Sequence, residues 1–489
     1  MLMRHSANRN EPKELVRRQS AAEEINTYRF QPSTERGHNI LPRLVSLLPA
    51  KSHKSMINLT ALTGIITNVI TLCVLAAVVT EPAFTTSFAR KYPSRTLAMQ
   101  TRQRRPSEIA VRLRAALTVN SHTSDTPLIR FSPDGRTLAT GTGKEPVKLW
   151  DSKTGKLRIK VIQEGAQVPK AFSPDGRILA TTGSGIANLV NSETGQLIAR
   201  LAGNKNLSNA DLVEFSPDGK AVLTYGPTNN AGLWDTQSGG LRAVIGKHKG
   251  PGFIEAVFSP NGQTIVTACD GDKTAKLWSA TTGQLRASLV HRVGVHSVLF
   301  TADSRRVVTA SLDDVGRIWD AETGQLRDTL QGHRNTIYEM ALSPDGRLLA
   351  TASRDGTAKL WDVSTGKLKS TLSGNDGAVL NVTFSADGRT LATLSGSKDQ
   401  ARLWNVETGE LKATLSGHKN RIDEISFSPD ERLLASSGKD AVLLWDAFSG
   451  EFVARLQGAH GPAEFSPDGR TLATGGEKGT VLLWDLTVK

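Results

Sequence analysis

Nine copies of one short motif at near-regular spacing constrain this chain more than any other feature. Phe-Ser-Pro-Asp-Gly, or a near variant, begins at Phe131, Phe172, Phe215, Phe258, Phe300, Leu342, Phe384, Phe427 and Phe465. Trp-Asp, or a variant, follows at Trp150, Val190, Trp234, Trp278, Trp319, Trp361, Trp404, Trp445 and Trp484. Successive copies of this second landmark lie 39 to 44 residues apart. A period of that length marks a repeat architecture. Each unit exposes apolar faces that only a neighbouring unit can bury.

Residues 337–372 show why one unit makes strands and turns. Ile337–Leu342 reads as a first strand. Ser343-Pro344-Asp345-Gly346 then turns the chain: proline presets φ, aspartate can bond its own backbone, and glycine accepts positive φ. Residues 347–353 form a second strand, Arg354-Asp355-Gly356 a second turn, and residues 357–362 a third strand. Ser364-Thr365-Gly366 leads into a fourth strand at 367–372.

Four short strands per unit at this period fit the blade of an all-β propeller. There are nine units of first, second and third strand. The glycines that turn into a fourth strand number only eight, at Gly155, Gly195, Gly239, Gly283, Gly324, Gly366, Gly409 and Gly450. The last unit ends four residues after Asp485, without a fourth strand of its own. Upstream, residues 111–122 resemble residues 411–418. His122 stands nine residues before Phe131, as His333 stands nine before Leu342 and His418 nine before Phe427. The N-terminal segment is therefore predicted to supply the missing strand and close a nine-bladed ring, leaving no open sheet edge. The alternative is a ring of seven or eight blades with irregular leftovers.

The recurring Gly-His, Ser-Pro-Asp-Gly and Trp-Asp landmarks over about 380 residues resemble the WD40-repeat family. The resemblance implies a hydrogen-bonded tetrad in each well-kept blade: a histidine, a second-strand hydroxyl, a turn aspartate and the third-strand tryptophan. It maps onto His333, Ser353, Asp355 and Trp361, and onto His291, Ser311, Asp313 and Trp319. The other blades depart from the pattern. Asn375 replaces the histidine in the seventh, and Val190-Asn191 replaces Trp-Asp in the second. The first and ninth lack the turn aspartate. An Asp–His–Ser set has the residue types of a hydrolytic triad, but here it recurs with tryptophan at repeat spacing, which reads as structural.

Ahead of the repeats lies a different kind of chain. Residues 1–108 carry 16 Lys/Arg against 7 Asp/Glu, so most of the net charge of +13 sits there and the repeats are nearly neutral. Residues 1–55 read as a disordered basic tail. Residues 57–79 run without a charge and are long enough to span a bilayer, so 56–80 is expected to be a transmembrane helix. The competing readings are an internal apolar helix and a signal peptide in an over-extended reading frame. Residues 81–107 form a basic linker. Arg43, Lys51 and Lys54 on one side nearly balance Arg90, Lys91 and Arg95 on the other, which leaves the orientation open. Cys73 and Cys269 are placed too differently to form a disulfide framework, and no Cys/His spacing suits zinc.

No nucleophile elbow, phosphate loop or His-Glu-x-x-His motif appears, so no catalytic residue, metal or cofactor is expected. Residues 108–489 are read as a non-catalytic protein-interaction propeller held at a membrane by a single span. Its partners are proteins or peptides, and nucleic acid is not expected. The alternatives are a hydrolase or ligand sensor using the axial channel, and lipid or nucleic-acid binding through the basic arm. Lys144, Lys398, Lys439 and Lys478 recur in the turn between second and third strands, with Arg354 beside the equivalent turn of the sixth unit. A ring gathers such turns on one face, so these five cations form a candidate site for an acidic partner.

Overall fold

A computed structural model of the chain describes residues 109–488, apart from 120–126, 163–166, 203–210, 229, 251, 253 and 397–398. The expected tail, span and linker, His122 and Cys73 all lie outside the described residues. Among the described residues no helix is long and apolar enough to cross a membrane.

The described chain forms nine four-stranded antiparallel sheets. In the sixth, Ile337–Leu342 pairs with Leu348–Ser353, which pairs with Ala358–Asp362, which pairs with Leu368–Leu372. These bounds match the sequence expectation to within a residue. The closing strand is also where the sequence puts it. Ile109–Thr118 lies antiparallel to Thr480–Val488 and completes the sheet of Ala459–Phe465 and Thr471–Gly476. Leu113 faces Trp484 as Leu368 faces Trp361, so the N-terminal strand holds the register of an ordinary outer strand.

Nine apolar clusters hold the ring, each drawn from two adjacent blades. One joins Leu360 and Leu372 of the sixth blade to Val382, Leu391 and Trp404 of the seventh. Another joins Leu117 and Leu483 of the closing blade to Phe131 and Trp150 of the first. Second strands such as Thr390–Ser395 are buried along their whole length. Burying one such Leu or Trp stabilises by about 1.5–3 kcal/mol, and every interface repeats that gain. Arg114 ties the closure further. It pairs with Asp485 and donates to the Thr471 hydroxyl at 3.0 Å and to the Ser152 carbonyl at 2.7 Å in the first blade.

The Ser-Pro-Asp-Gly turns are built alike. Ser343 Oγ donates to Asp345 at 2.5 Å, and Asp345 accepts the Arg347 N–H at 3.0 Å. The Trp-Asp carboxylate anchors the next turn, as Asp362 accepts the Thr365 N–H at 2.8 Å. Because neighbouring strands run antiparallel, these two turns emerge on one face of the ring. The hairpin between second and third strands, and the connections between blades, emerge on the other.

Candidate functional site

The sixth blade contains a complete chain of hydrogen bonds under its tryptophan. Trp361 Nε1 donates to Thr351 Oγ1 at 2.9 Å. Thr351 Oγ1 lies 2.7 Å from His333 Nε2, and His333 Nδ1 lies 2.8 Å from Asp355 Oδ2. A carboxylate can only accept, so Nδ1 carries the proton and the threonine hydroxyl donates to Nε2. Burial depresses the His333 pKa against the pull of Asp355. Burial opposes the Asp355 charge, but the Thr357 hydroxyl, the Arg334 N–H and His333 outweigh it and hold that carboxyl down at about 2. The result is a neutral imidazole clamped between two filled partners, with no lone pair left for substrate.

The hydroxyl in this set is Thr351, not Ser353 as the sequence suggested. Ser353 Oγ donates instead to the Asn335 carbonyl at 2.8 Å and braces the connection from the fifth blade. The fifth blade shows the same substitution: Thr309, not Ser311, accepts from Trp319 at 2.9 Å and meets His291 at 2.8 Å. It also departs further. Arg317 takes Asp313 at 2.6 Å, Ser311 donates to the same carboxylate, and His291 Nδ1 turns to the Leu289 carbonyl at 2.9 Å. His291 and Asp313 are therefore not hydrogen-bonded to each other.

Two further blades, read from sequence as departures, hold complete sets. His248 joins Asp272 at 3.0 Å and Thr267 at 2.9 Å, beneath Trp278. His418 joins Asp440 at 3.0 Å and Ser436 at 2.9 Å, beneath Trp445. Burial pushes His248 down to about 4, with Lys276 adding to the effect. In the seventh blade Asn375 accepts from Thr393 at 3.0 Å in the histidine's place.

The inner strands carry a second group that the sequence reading did not single out. Glu464 accepts the Phe131 N–H at 2.9 Å, Glu255 the Val298 N–H at 2.9 Å, and Glu214 the Phe258 N–H at 3.3 Å. Each bond joins the inner strand of one blade to that of the next. Burial raises Glu339 to about 8, with Glu255 adding to the effect. Burial likewise raises Glu424 to about 7, with Arg130 opposing and Glu464 reinforcing. Glu464, Glu255 and Glu214 thus staple neighbouring inner strands. Among the described residues no group of three or more His, Cys, Asp or Glu is arranged to hold a metal ion. Cys269 is buried, and burial pushes its thiol up to about 11.

Lys144, Arg354, Lys439 and Lys478 all sit exposed at hairpins between second and third strands, on one face. Lys398 lies outside the described residues. The same face gains cations that the sequence reading passed over. Lys249, Arg292, Arg334 and Lys419 each directly follow one of the four buried histidines, and all are exposed. The backbone N–H groups of Lys249, Arg334 and Lys419 donate to Asp272, Asp355 and Asp440, which aims these side chains outward. The signal was present as a recurring His-Lys or His-Arg dipeptide. Beneath Lys249, Arg334 and Lys419 the aspartates Asp272, Asp355 and Asp440 are each engaged with a buried histidine.

The model of the family described as "WD domain, G-beta repeat" matches residues 240–279, 283–320, 324–362, 366–405, 409–446 and 459–485. Relatives include the Periodic tryptophan protein 2 homolog of Dictyostelium discoideum, 29% identical over 40% of this chain and 22% of its own length. Actin-interacting protein 1 of Drosophila melanogaster is 24% identical over 40% of this chain and 40% of its length. WD repeat-containing protein 82 of the same organism is 27% identical over 30% of this chain and 49% of its length. The chain thus spans less than half the length of each of these relatives. Among solved structures, the computationally designed protein Ika8 superposes with a TM-score of 0.53 at 21% identity, covering 76% of this chain and 98% of that one, a likeness of fold alone. The matched repeats, the nine four-stranded blades and the hydrogen-bonded sets beneath the tryptophans agree: this chain belongs to the WD40-repeat β-propeller family.

Proposed function

We propose that this propeller is a non-catalytic interaction scaffold whose basic face receives an acidic segment of a protein partner. One observation carries the reading. Exposed cations recur on the hairpins and blade connections of a single face, while the histidines and aspartates beneath them are consumed in closed hydrogen-bond sets. A rigid ring presenting loops and turns suits recognition. The imidazoles, which would have to serve as bases, are buried and bonded at both ring nitrogens. Clustered positive charge speeds encounter with an acidic partner and sets its orientation, and does so less as salt rises.

Reversing Arg334, Arg354, Lys419 and Lys439 to glutamate tests this face. The variant should keep the parent's melting temperature, because these side chains are exposed. It should lose most of its binding to a fluorescein-labelled polyglutamate peptide at low ionic strength. Equal binding by variant and parent at low salt would reduce this face to solvated surface.

The same proposal places the scaffold at a membrane through residues 57–79. The support is the uncharged run itself, which is long enough to span. Carbonate-washed membranes should retain the full-length chain in the pellet. Its release into the supernatant would remove the tether and leave the basic face unaffected.

A further inference from the structure

Because the chain contains nine copies of one unit, each position has eight internal controls. The fifth blade breaks the pattern at two positions that meet in space. The residue opening the second strand is threonine in four blades and apolar in four others, but in the fifth it is Arg306. The outer-strand residue that packs on the next blade's turn glycine is alanine in most blades. In the fifth it is Asp328, set against Gly366. Both changes put a charge where the other blades carry none. Where threonine is present, the outer-strand cation rests on its hydroxyl, as Arg158 does on Thr137 at 3.1 Å and Arg286 on Thr264 at 2.9 Å. Arg306 removes that seat, and Arg327 turns to Asp320 at 2.7 Å.

These departures line one cleft of about 420 Å³ between the fifth and sixth blades. It lies on the face opposite the basic hairpins and is bounded by Arg305, Arg306, Asp320, Arg327, Asp328 and Ser364. Its charges are not used up internally. Asp320 is satisfied by Arg327 and by the Thr323 N–H and hydroxyl. Arg306 donates from Nη1 to the Val363 carbonyl of the sixth blade at 3.0 Å, which fixes its guanidinium across the blade boundary. Among the described residues Arg305 makes no side-chain hydrogen bond, and Asp328, half-buried, makes neither a hydrogen bond nor an ion pair. Three guanidiniums, only one of them paired with a carboxylate, thus face one unpaired carboxylate across a space of ligand-binding size.

We infer that this cleft is a binding site for a zwitterionic ligand, whose carboxylate is held by Arg305 and Arg306 and whose ammonium is held by Asp328. Guanidinium forks match a carboxylate in plane and can grip it with two bonds. Asp328, which no side chain engages among the described residues, is the carboxylate of the cleft available to a cation. The required pairing of opposite charges a few bonds apart exists in a free amino acid or short peptide, and also in an acidic residue followed by a basic one within a chain. The inference does not rest on the reading of the basic face, which lies at the other end of the blades.

The test uses the full-length protein and two probes observed by ligand saturation-transfer NMR. Glycylglycine presents the charges at its termini. Acetyl-Glu-Lys-amide presents them on side chains and has blocked ends. At least one should bind the parent, and which one does so separates the two sources. Arg306→Thr and Asp328→Ala restore residues that other blades carry, so both variants should melt at or above the parent's temperature. Each should weaken binding about tenfold, the effect of losing one strong charged contact. The control acetyl-Glu-Gln-amide should bind the parent about as weakly as the zwitterion binds Asp328→Ala. Failure of both probes on the parent would overturn the site, and so would binding that survives both reversions.

Discussion

The fifth and sixth blades are neighbours built from the same repeat, with the same histidine, threonine, aspartate and tryptophan in register, yet they wire those residues differently. In the sixth, Lys359 reaches the Thr371 hydroxyl at 2.9 Å and leaves Asp355 to His333. In the fifth, Arg317 occupies the same place as Lys359, and its planar fork takes Asp313 through two nitrogens. His291 loses its carboxylate and settles on a backbone carbonyl. One exchange of lysine for arginine, conservative in charge, accompanies the change from a four-member set to a three-member one. Residue inventory alone does not determine a hydrogen-bond network, because competing donors nearby decide who receives the carboxylate.

The largest separation between the two blades should come from removing the histidines. His333→Ala takes one bond from Asp355, which keeps Thr357 and the Arg334 N–H, and leaves the buried Thr351 hydroxyl without its acceptor; it should cost about 1.5–2 kcal/mol, read as a lower midpoint in urea. His291→Ala strands only Thr309 and the Leu289 carbonyl, since Asp313 keeps Arg317 and Ser311. It should cost about 1 kcal/mol. Equal losses would mean that the His333–Asp355 bond adds nothing. Neither variant should lose binding at temperatures where it remains folded.

Acid should act on the histidines of both blades, while base acts on inner-strand carboxyls, one of them Glu339 of the sixth blade itself. The buried imidazole of His291 titrates near 4 in the folded chain and near 6.5 when unfolded, and His333 is depressed in the same direction. The folded state therefore binds fewer protons in that interval, so the His291 contribution is complete above 6.5 and fades as pH falls toward 4, and that of His333 fades in the same sense. Glu339 and Glu424 have the opposite sign. Their folded values are raised to about 8 and 7, so the folded state binds more protons than the unfolded above 4.5. That contribution fades as pH rises toward 8. Glu339→Gln should flatten the alkaline side of a melting-temperature profile and leave the acid side unchanged. His291→Ala should do the reverse. A Glu339→Gln profile parallel to the parent's at pH 6–9 would refute the alkaline assignment.

Arg317→Lys converts the fifth blade toward the sixth at a smaller cost. With the fork gone, Asp313 is free to meet His291 Nδ1, and a neighbouring carboxylate favours the imidazolium. The His291 resonance should then titrate higher than about 4, while stability changes by less than about 1 kcal/mol. An unmoved titration would show that something other than Arg317 keeps the two residues apart.

The number of blades and the closing strand were legible because both depend on counting. Nine first strands, eight outer-strand turns and a matching upstream segment favour nine closed blades over a ring of seven or eight with leftovers. The tetrads were only half legible. Thr351 and Ser353 are two residues apart on one strand, so they share a face, and spacing cannot choose between them. The sets at His248 and His418 were hidden by hairpin length: Thr267 stands eleven residues before its tryptophan and Ser436 nine, against ten for Thr351. Lys247 also separates His248 from its glycine. The raised carboxyls at Glu339 and Glu424 could not be read at all, because burial and the charges of Glu255 and Glu464 on other blades perturb them. Arg306 and Asp328 were visible in principle as departures within the alignment of nine copies, but what they share appears only in three dimensions.

The smallest expected difference between the two blades lies in their first turns, and it tests whether the fifth has compensated for its own irregularity. The sixth blade has Gly346 at φ +70°, and the fifth has Ser304 at φ +62°, a left-handed conformation that costs a residue with a Cβ about 1–2 kcal/mol. Ser304 returns part of this, because its hydroxyl accepts the Asn261 N–H of the neighbouring turn at 3.0 Å. An exposed bond of that kind contributes about 0.5–1.5 kcal/mol. Ser304→Gly relieves the backbone and removes the bond, so the two terms should nearly cancel, within about 0.5 kcal/mol. Gly346→Ser imposes the strain at a turn where glycine has the place. It should destabilise by about 1 kcal/mol, because an added Cβ meets only ordinary contact with Ala302 at 3.5 Å and the φ alone sets the penalty. A gain above 1 kcal/mol from Ser304→Gly in a denaturant titration would show that the Asn261 bond offsets nothing, and that the fifth blade carries its strained turn uncompensated.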